Sequence, residues 1–257
     1  KPELVPFISY PYEWSFSQLK DAALLTLEIN KAALIKGLIL KDASAYNIQF
    51  VDGRPLLIDT LSFDVYRKGQ AWDGYRQFCQ HFLAPLALAS HVDIRFIQLL
   101  KNYIDGIPLD LASRLLPGKT RLGLSGLNLH IHIHSRVQQR YADKQETQTQ
   151  ALQLSKDALL NLLNGLVKTI TQLTWQPKGT EWGDYYTATN YTDDSLRLKG
   201  ETVGKFIDQS KPTHVWDLGA NNGLFSREAS KRGIFTVASD IDPAAVEKNY
   251  LAIRATQ

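Results

Sequence analysis

One stretch constrains this chain more than any other. An apolar run ending in Val215-Trp216-Asp217-Leu218 feeds Gly219-Ala220-Asn221-Asn222-Gly223, and a second apolar run ends at Asp240. The pattern predicts a strand at 214–217, a helix at 224–232, a strand at 234–239 and a helix from Pro243 onward, where proline suits the first turn. Strand, helix, strand, helix is the order of a doubly wound α/β sheet. Gly219 and Gly223 let a ligand approach the backbone closely, and the loop opens toward an electropositive helix N-terminus. Asp217, at a strand end, is placed to accept from the ammonium of an amino-acid ligand. Asp240 follows Gly223 by seventeen residues, where a carboxylate can take both hydroxyls of a ribose. The dinucleotide pattern G-x-G-x-x-G does not fit these residues.

The loop resembles motif I of class I methyltransferases in its D-L-G-A-N-x-G form, with Asn221 where many members carry glycine. That resemblance implies S-adenosylmethionine as cofactor. Asp217, Gly219, Asn221 and Gly223 would lie near its methionine part and Asp240 on its ribose. Upstream, Glu181 to Tyr191 is rich in aromatics. Tyr185, Tyr186 and Tyr191 are candidates to cover the adenine, and packing of an entry helix on the sheet explains them equally well.

A second constellation lies in the N-terminal half. Lys41-Asp42-Ala43-Ser44-Ala45-Tyr46-Asn47 precedes a hairpin signal: Ile48–Val51, an Asp52-Gly53 turn, then Pro55–Ile58 and Asp59. Phosphoryl transfer needs an acid to orient the acceptor hydroxyl and oxygen ligands for magnesium. Asp42, Asn47 and Asp59 have that order. They resemble the catalytic loop and metal-binding aspartate of protein kinases and aminoglycoside-phosphotransferase-like kinases. On that resemblance Asp42 is the base, and Asn47 and Asp59 hold magnesium for ATP. The usual histidine before the aspartate is missing, and Asp59 is followed by Thr60-Leu61 instead of Phe-Gly. The bland alternative is that Asp42 and Asn47 cap a turn and Asp59 ends a strand.

Helical patterns cover 17–36, with Ser15 or Ser17 as N-cap and Gly37 as stop, and also 72–89, 93–104, 108–115, 153–173 and about 193–209. The first is apolar on nearly all sides and is expected to be buried. Lys144–Gln150 reads as a polar helical surface or a loop. A break around Gln176-Pro177-Lys178-Gly179 sets the expected boundary. The fold class expected is mixed α and α/β. Residues 1–176 form a largely helical kinase-like domain with a β-hairpin near 46–60. Residues 177–257 begin a Rossmann-like methyltransferase domain.

His130-Ile131-His132-Ile133-His134 has the look of a metal site, but its helical flanks favour ordinary packing. Cys79 is the one cysteine, in an apolar helical setting, so it reads as a buried thiol in a reducing cytoplasm. The net charge of +3 gives no argument for nucleic acid. No apolar run is long enough to span a bilayer. The 257 residues include no Met, and they stop one helix after the second strand of the α/β pattern, which suggests part of a longer protein.

Tyr10–Phe16, Lys41–Phe50 and Tyr75–Cys79 resemble a bacterial family of class I methyltransferases, some of whose members are called nodulation proteins. The resemblance runs through the whole chain, and in that family the methyltransferase domain extends further. It implies methyl transfer to an acceptor that is not identified, with a weak hint of a glycan or glycolipid. A kinase, or a degenerate ATP- and magnesium-binding module regulating the methyltransferase, is the competing expectation. A scaffold that keeps both folds without catalysis is a third. The sequence leaves the oligomeric state open.

Overall fold

The computed structural model describes residues 4–123, 125–136, 154–187 and 191–256. The polar stretch Lys144–Gln150 lies outside them. The chain mixes helix with small sheets and divides into two compact units, residues 1–175 and 176–257.

In the N-terminal unit, α1 spans Phe16–Ile35. Ser15 caps it: the hydroxyl accepts from the Gln18 backbone N–H at 3.3 Å, and the Gln18 side chain accepts from the Ser15 backbone at 2.9 Å. The helix buries Leu19, Ala22, Ala23, Leu27 and Leu34. It is not buried all round, as its composition suggests, because Glu28 and Ala32 face outward and Ile35 is 72% exposed.

Four short strands follow: β1 (Leu38–Leu40), β2 (Ile48–Val51), β3 (Arg54–Leu57) and β4 (Phe63–Val65). β2 and β3 form the expected hairpin, with β3 one residue earlier than the pattern predicts. Asp52 and Gly53 both take positive φ, 49° and 72°, as a two-residue turn between twisted strands requires. The antiparallel pair of β1 with β4 was not expected, because three-residue strands carry too little periodicity to read. Side chains satisfy part of the remaining β1 edge. Leu40 N–H donates to Asn30 Oδ1 at 2.9 Å, and the Trp72 indole donates to Leu40 C=O at 2.6 Å.

A continuous helical run then follows in three pieces: α2 (Tyr75–Phe78), a π-helical turn at Cys79–Leu83, and α3 (Ala84–His91). It begins three residues later than expected, since Trp72 is tied to the strand edge. The helix expected at 93–104 is a 3₁₀ helix, Ile94–Lys101, capped by Asp93. Among the described residues the unit also contains α4 (Leu109–Leu115), a 3₁₀ turn at Gly118–Arg121, a second π-helical turn at Asn128–Ile133 and α5 (Lys156–Gln172). Leu159, Leu163, Leu166 and Ile170 form the apolar stripe of α5, which packs on α1. Lys20 of α1 donates to the carbonyls of Thr171 and Leu173 at the C-terminal end of α5, where a cation is favoured. One apolar cluster joins all these pieces.

The C-terminal unit contains α6 (Asp193–Ser210), β5 (His214–Leu218), α7 (Ser226–Ser230), β6 (Phe235–Ser239) and α8 (Pro243–Arg254). β5 and β6 are parallel, from His214 opposite Phe235 to Leu218 opposite Ser239. α7 is shorter than expected because turns take both ends of the predicted helix. Alternation along β5 leaves His214, Trp216 and Leu218 exposed on one face. Among the described residues, no helix of the chain is long and apolar enough to cross a membrane.

Candidate functional site

The parallel register brings the ends of β5 and β6 side by side, and with them Asp217 and Asp240. The loop after β5 folds back over the end of β6. Gly219 and Ala220 N–H both donate to the Ser239 carbonyl, at 2.9 and 3.0 Å. The Asn221 N–H donates to Asp240 Oδ2 at 2.7 Å, and the Asp242 N–H to Asp240 Oδ1 at 2.8 Å. Each Asp240 oxygen accepts one of these bonds and has a second lone pair. Asp217 Oδ2 accepts from Ser226 Oγ at 2.7 Å.

The loop needs left-handed backbone at three places: Gly219 (φ 77°), Asn221 (φ 49°) and Gly223 (φ 72°). Asparagine is among the few residues with a side chain that enter this region readily. The two glycines do different work. A Cβ on Gly219 would meet nothing within 4 Å, so this backbone faces open space. A Cβ on Gly223 would run into the side chains of Asn249 and Arg227. Arg227 clamps that side of the loop, donating to the carbonyls of Asn222 and Gly223 and to Asn249 Oδ1.

The aromatic segment belongs to the same site. Trp182, Tyr185, Tyr186 and Phe225 form a ladder of ring contacts, with centroids 5.8, 5.2 and 6.0 Å apart. The ammonium of Lys199 lies 4.5 Å from the Phe225 centroid and 5.6 Å from that of Tyr191. Burial first, and then the nearby Asp217 carboxylate, hold the Tyr186 phenol above its usual range, with Tyr185, Tyr191 and Asp240 adding to the effect. Asp217, Gly219, Asn221, Gly223 and Asp240 lie at or just beyond the ends of the two strands.

Asp242 was missed. It caps α8 by accepting from Ala244 and Ala245 N–H, and it also binds Thr180 Oγ1 and Trp182 N–H, each at 2.8 Å. These bonds outweigh its burial and keep its carboxyl below the ordinary range. An aspartate directly before a proline that opens a helix is a cap signal readable in sequence. Its second role, on the distant Thr180 and Trp182, has no local signal.

In the N-terminal unit the pairing of β4 with β1 returns the chain to where it left. The Lys41 N–H donates to the Ser62 carbonyl at 2.8 Å. The Asn47 amide donates to Ser62 Oγ at 3.1 Å, and Ser62 Oγ donates to Asp59 Oδ2 at 2.6 Å. Asp59 also accepts from Leu61 N–H and caps the turn Thr60–Ser62. The Ser62 bond, then the Leu61 bond, holds the Asp59 carboxyl below its usual range. Asp42 accepts from Ser44 N–H at 3.0 Å, while Gln77 Oε1 accepts from Ala43 N–H at 2.7 Å. Buried His81 packs edge-on against Tyr46, and burial pushes it down to about 4, opposed by Asp42 and Asp105.

The histidine run lies largely on the second π-helical turn and is engaged within the fold. His130 Nδ1 and Tyr75 OH are 2.7 Å apart, and His134 stacks on the Tyr75 ring. His132 lies between Ser113 Oγ at 2.8 Å and Thr120 Oγ1 at 2.9 Å. Among the described residues no three histidine, cysteine or acidic side chains gather as a metal would need. Cys79 is fully buried, and burial raises its thiol.

No family model and no solved structure matches the chain. The chain is 37% identical over 253 residues to the nodulation protein NoeA of Rhizobium meliloti (strain 1021). The match takes in 96% of the chain and 53% of NoeA, so the chain spans about half the length of this curated relative. The similarity runs through both units.

Proposed function

We propose that the C-terminal unit binds S-adenosylmethionine, as the start of a Rossmann-like class I methyltransferase domain, and that the protein transfers methyl to an acceptor not yet identified. The observation that carries this reading is the bond from Asn221 N–H to Asp240 Oδ2. It joins the glycine loop of one parallel strand to the terminal acid of the next, beside open space at Gly219. These residues suit the donor's parts. Free lone pairs on Asp240 can accept from ribose hydroxyls, Asp217 can accept from an ammonium, and the bare Gly219 backbone admits close approach. When bound, the donor supplies a methyl group made electrophilic by its sulfonium. The chain's own part is to bind and orient it, and no residue is assigned to activating the acceptor. Calorimetric titration tests this. Asp240→Ala is expected to weaken donor binding by about 1.5–3 kcal/mol, the scale of charge-assisted hydrogen bonds. Unchanged affinity would remove Asp240 from the ribose.

A second reading has its own observation. The chain Asn47–Ser62–Asp59 holds two potential magnesium ligands on one hydroxyl, near Lys41 and Asp42. It supports a kinase-like module that binds ATP with magnesium, as an enzyme or as a regulator of methyl transfer. Magnesium-dependent ATP binding lost in Asp59→Ala would favour it. Binding of neither ligand would favour a scaffold. A cytoplasmic setting, where both ligands are available, goes with either activity.

A further inference from the structure

The segment of residues 180–186 precedes the C-terminal unit's strands in sequence and has no helix or strand of its own beyond a short turn from Tyr185. It is nevertheless bound to the far end of the site at three points. Asp242 takes Thr180 Oγ1 and Trp182 N–H. Lys248 donates to the Gly183 carbonyl and to Asp184 Oδ1, the latter at 2.7 Å. Asn221, from the glycine loop itself, donates through its side-chain amide to the Trp182 carbonyl at 2.7 Å. Asn221 is 8% exposed and touches both sides from the glycine loop: its backbone holds Asp240 and its side chain holds Trp182. Asp242 does the same from the end of β6, with its N–H on Asp240 and its carboxylate on Thr180 and Trp182.

We infer that Asn221 is a latch that fixes the aromatic segment 180–186 over the glycine loop, coupling that cover to Asp240. This builds on the donor-binding reading above. Glycine at position 221 would supply the left-handed backbone equally well, so the conformation alone does not require asparagine. What asparagine adds is a side-chain amide whose oxygen accepts from the Asn222 N–H inside the loop and whose nitrogen reaches out of it to Trp182. The latch keeps Tyr186 and its ring neighbours at the mouth beside Asp217 and Asp240, and a donor bound beneath them leaves slowly. Asn221 is therefore a positioning residue.

The test is Asn221→Gly, which keeps the backbone N–H to Asp240 and removes the side-chain bond to Trp182 together with the one accepted from the Asn222 N–H within the loop. Hydrogen exchange of the amides in 180–186 reads the latch with no ligand present. Loss of one buried hydrogen bond is expected to speed that exchange by about tenfold, with little change elsewhere. Thr180→Val, which removes a different anchor, is expected to act in the same direction. Stopped-flow displacement of S-adenosylmethionine reads the consequence, with faster release expected in Asn221→Gly. Unchanged exchange in the segment would overturn the latch. Faster exchange with unaltered donor release would overturn its role as a cover. Failure of the wild-type chain to bind the donor at all would sink the methyl-donor reading and the cover with it, while the latch itself would stand or fall on the exchange data alone.

Discussion

The two units solve the burial problem differently. In the N-terminal unit, α1, the π-interrupted helix and α5 share one apolar cluster, and side chains such as Phe78, Phe82, Leu27 and Leu163 are completely buried. In the C-terminal unit the buried apolar side chains are mostly small, Ala220, Ala229, Ala244 and Ala245, with Ile207 and Tyr250. Its larger ones stay outside: Phe206 is 65% exposed, Trp216 64%, Leu218 76% and Ile241 91%. Parallel strands are ordinarily covered on both faces, and β5 has one face open. Polar bonds carry more of the order here. Asp240, Asp242, Asn221 and Arg227 hold together what few apolar contacts hold. The same arrangement that leaves this unit lightly packed concentrates directed donors and acceptors around the glycine loop.

The largest effect is expected from Leu163→Ala in α5, which removes a fully buried side chain and should cost the N-terminal unit about 3–5 kcal/mol. Denaturant unfolding, with hydrogen exchange to assign the loss to a unit, measures it. A cost under about 1 kcal/mol would mean that the cluster is not the continuous core described here.

Acidification comes next. Burial pushes His81 and His130 each down to about 4, whereas an unfolded histidine titrates near 6.5. Between these values the unfolded chain takes up protons that the folded one does not. The stabilisation is therefore complete above about pH 6.5 and is lost as the pH falls toward 4, by up to about 3 kcal/mol per histidine. Melting curves across this window should show the loss in the N-terminal unit, and its persistence in His81→Phe with His130→Phe would contradict the assignment. The smallest effect is expected from Trp216→Ala on the open face of β5, within about 0.5 kcal/mol. A large loss there would show that this face is packed in solution.

The C-terminal site was readable in sequence because strand, loop, strand and acid are consecutive, so Asp217, Gly219, Asn221, Gly223 and Asp240 are positioned by local order. Asp42, Asn47 and Asp59 had the same advantage: the hairpin between them is short and its turn is specific. What remained hidden depends on partners far apart in the chain. β1 and β4 are each too short to show a period and exist through their pairing. Ser62, which joins Asn47 to Asp59, lies 15 residues from Asn47 and carries no motif. Thr180 and Trp182 meet Asp242 across 62 and 60 residues. The π-helical turns at Cys79–Leu83 and Asn128–Ile133 follow from tertiary packing, since the apolar pattern there fits an ordinary helix.

The most direct test of donor binding at the C-terminal site is a hydrogen-exchange footprint of the whole chain, with S-adenosylmethionine and, separately, with ATP and magnesium. The account predicts that S-adenosylmethionine slows exchange in 180–186, 217–224 and 240–242 and leaves 41–62 unchanged. Protection of 41–62 by ATP and magnesium, with none at the C-terminal site by S-adenosylmethionine, would contradict it and move the chemistry to Asp42, Asn47 and Asp59.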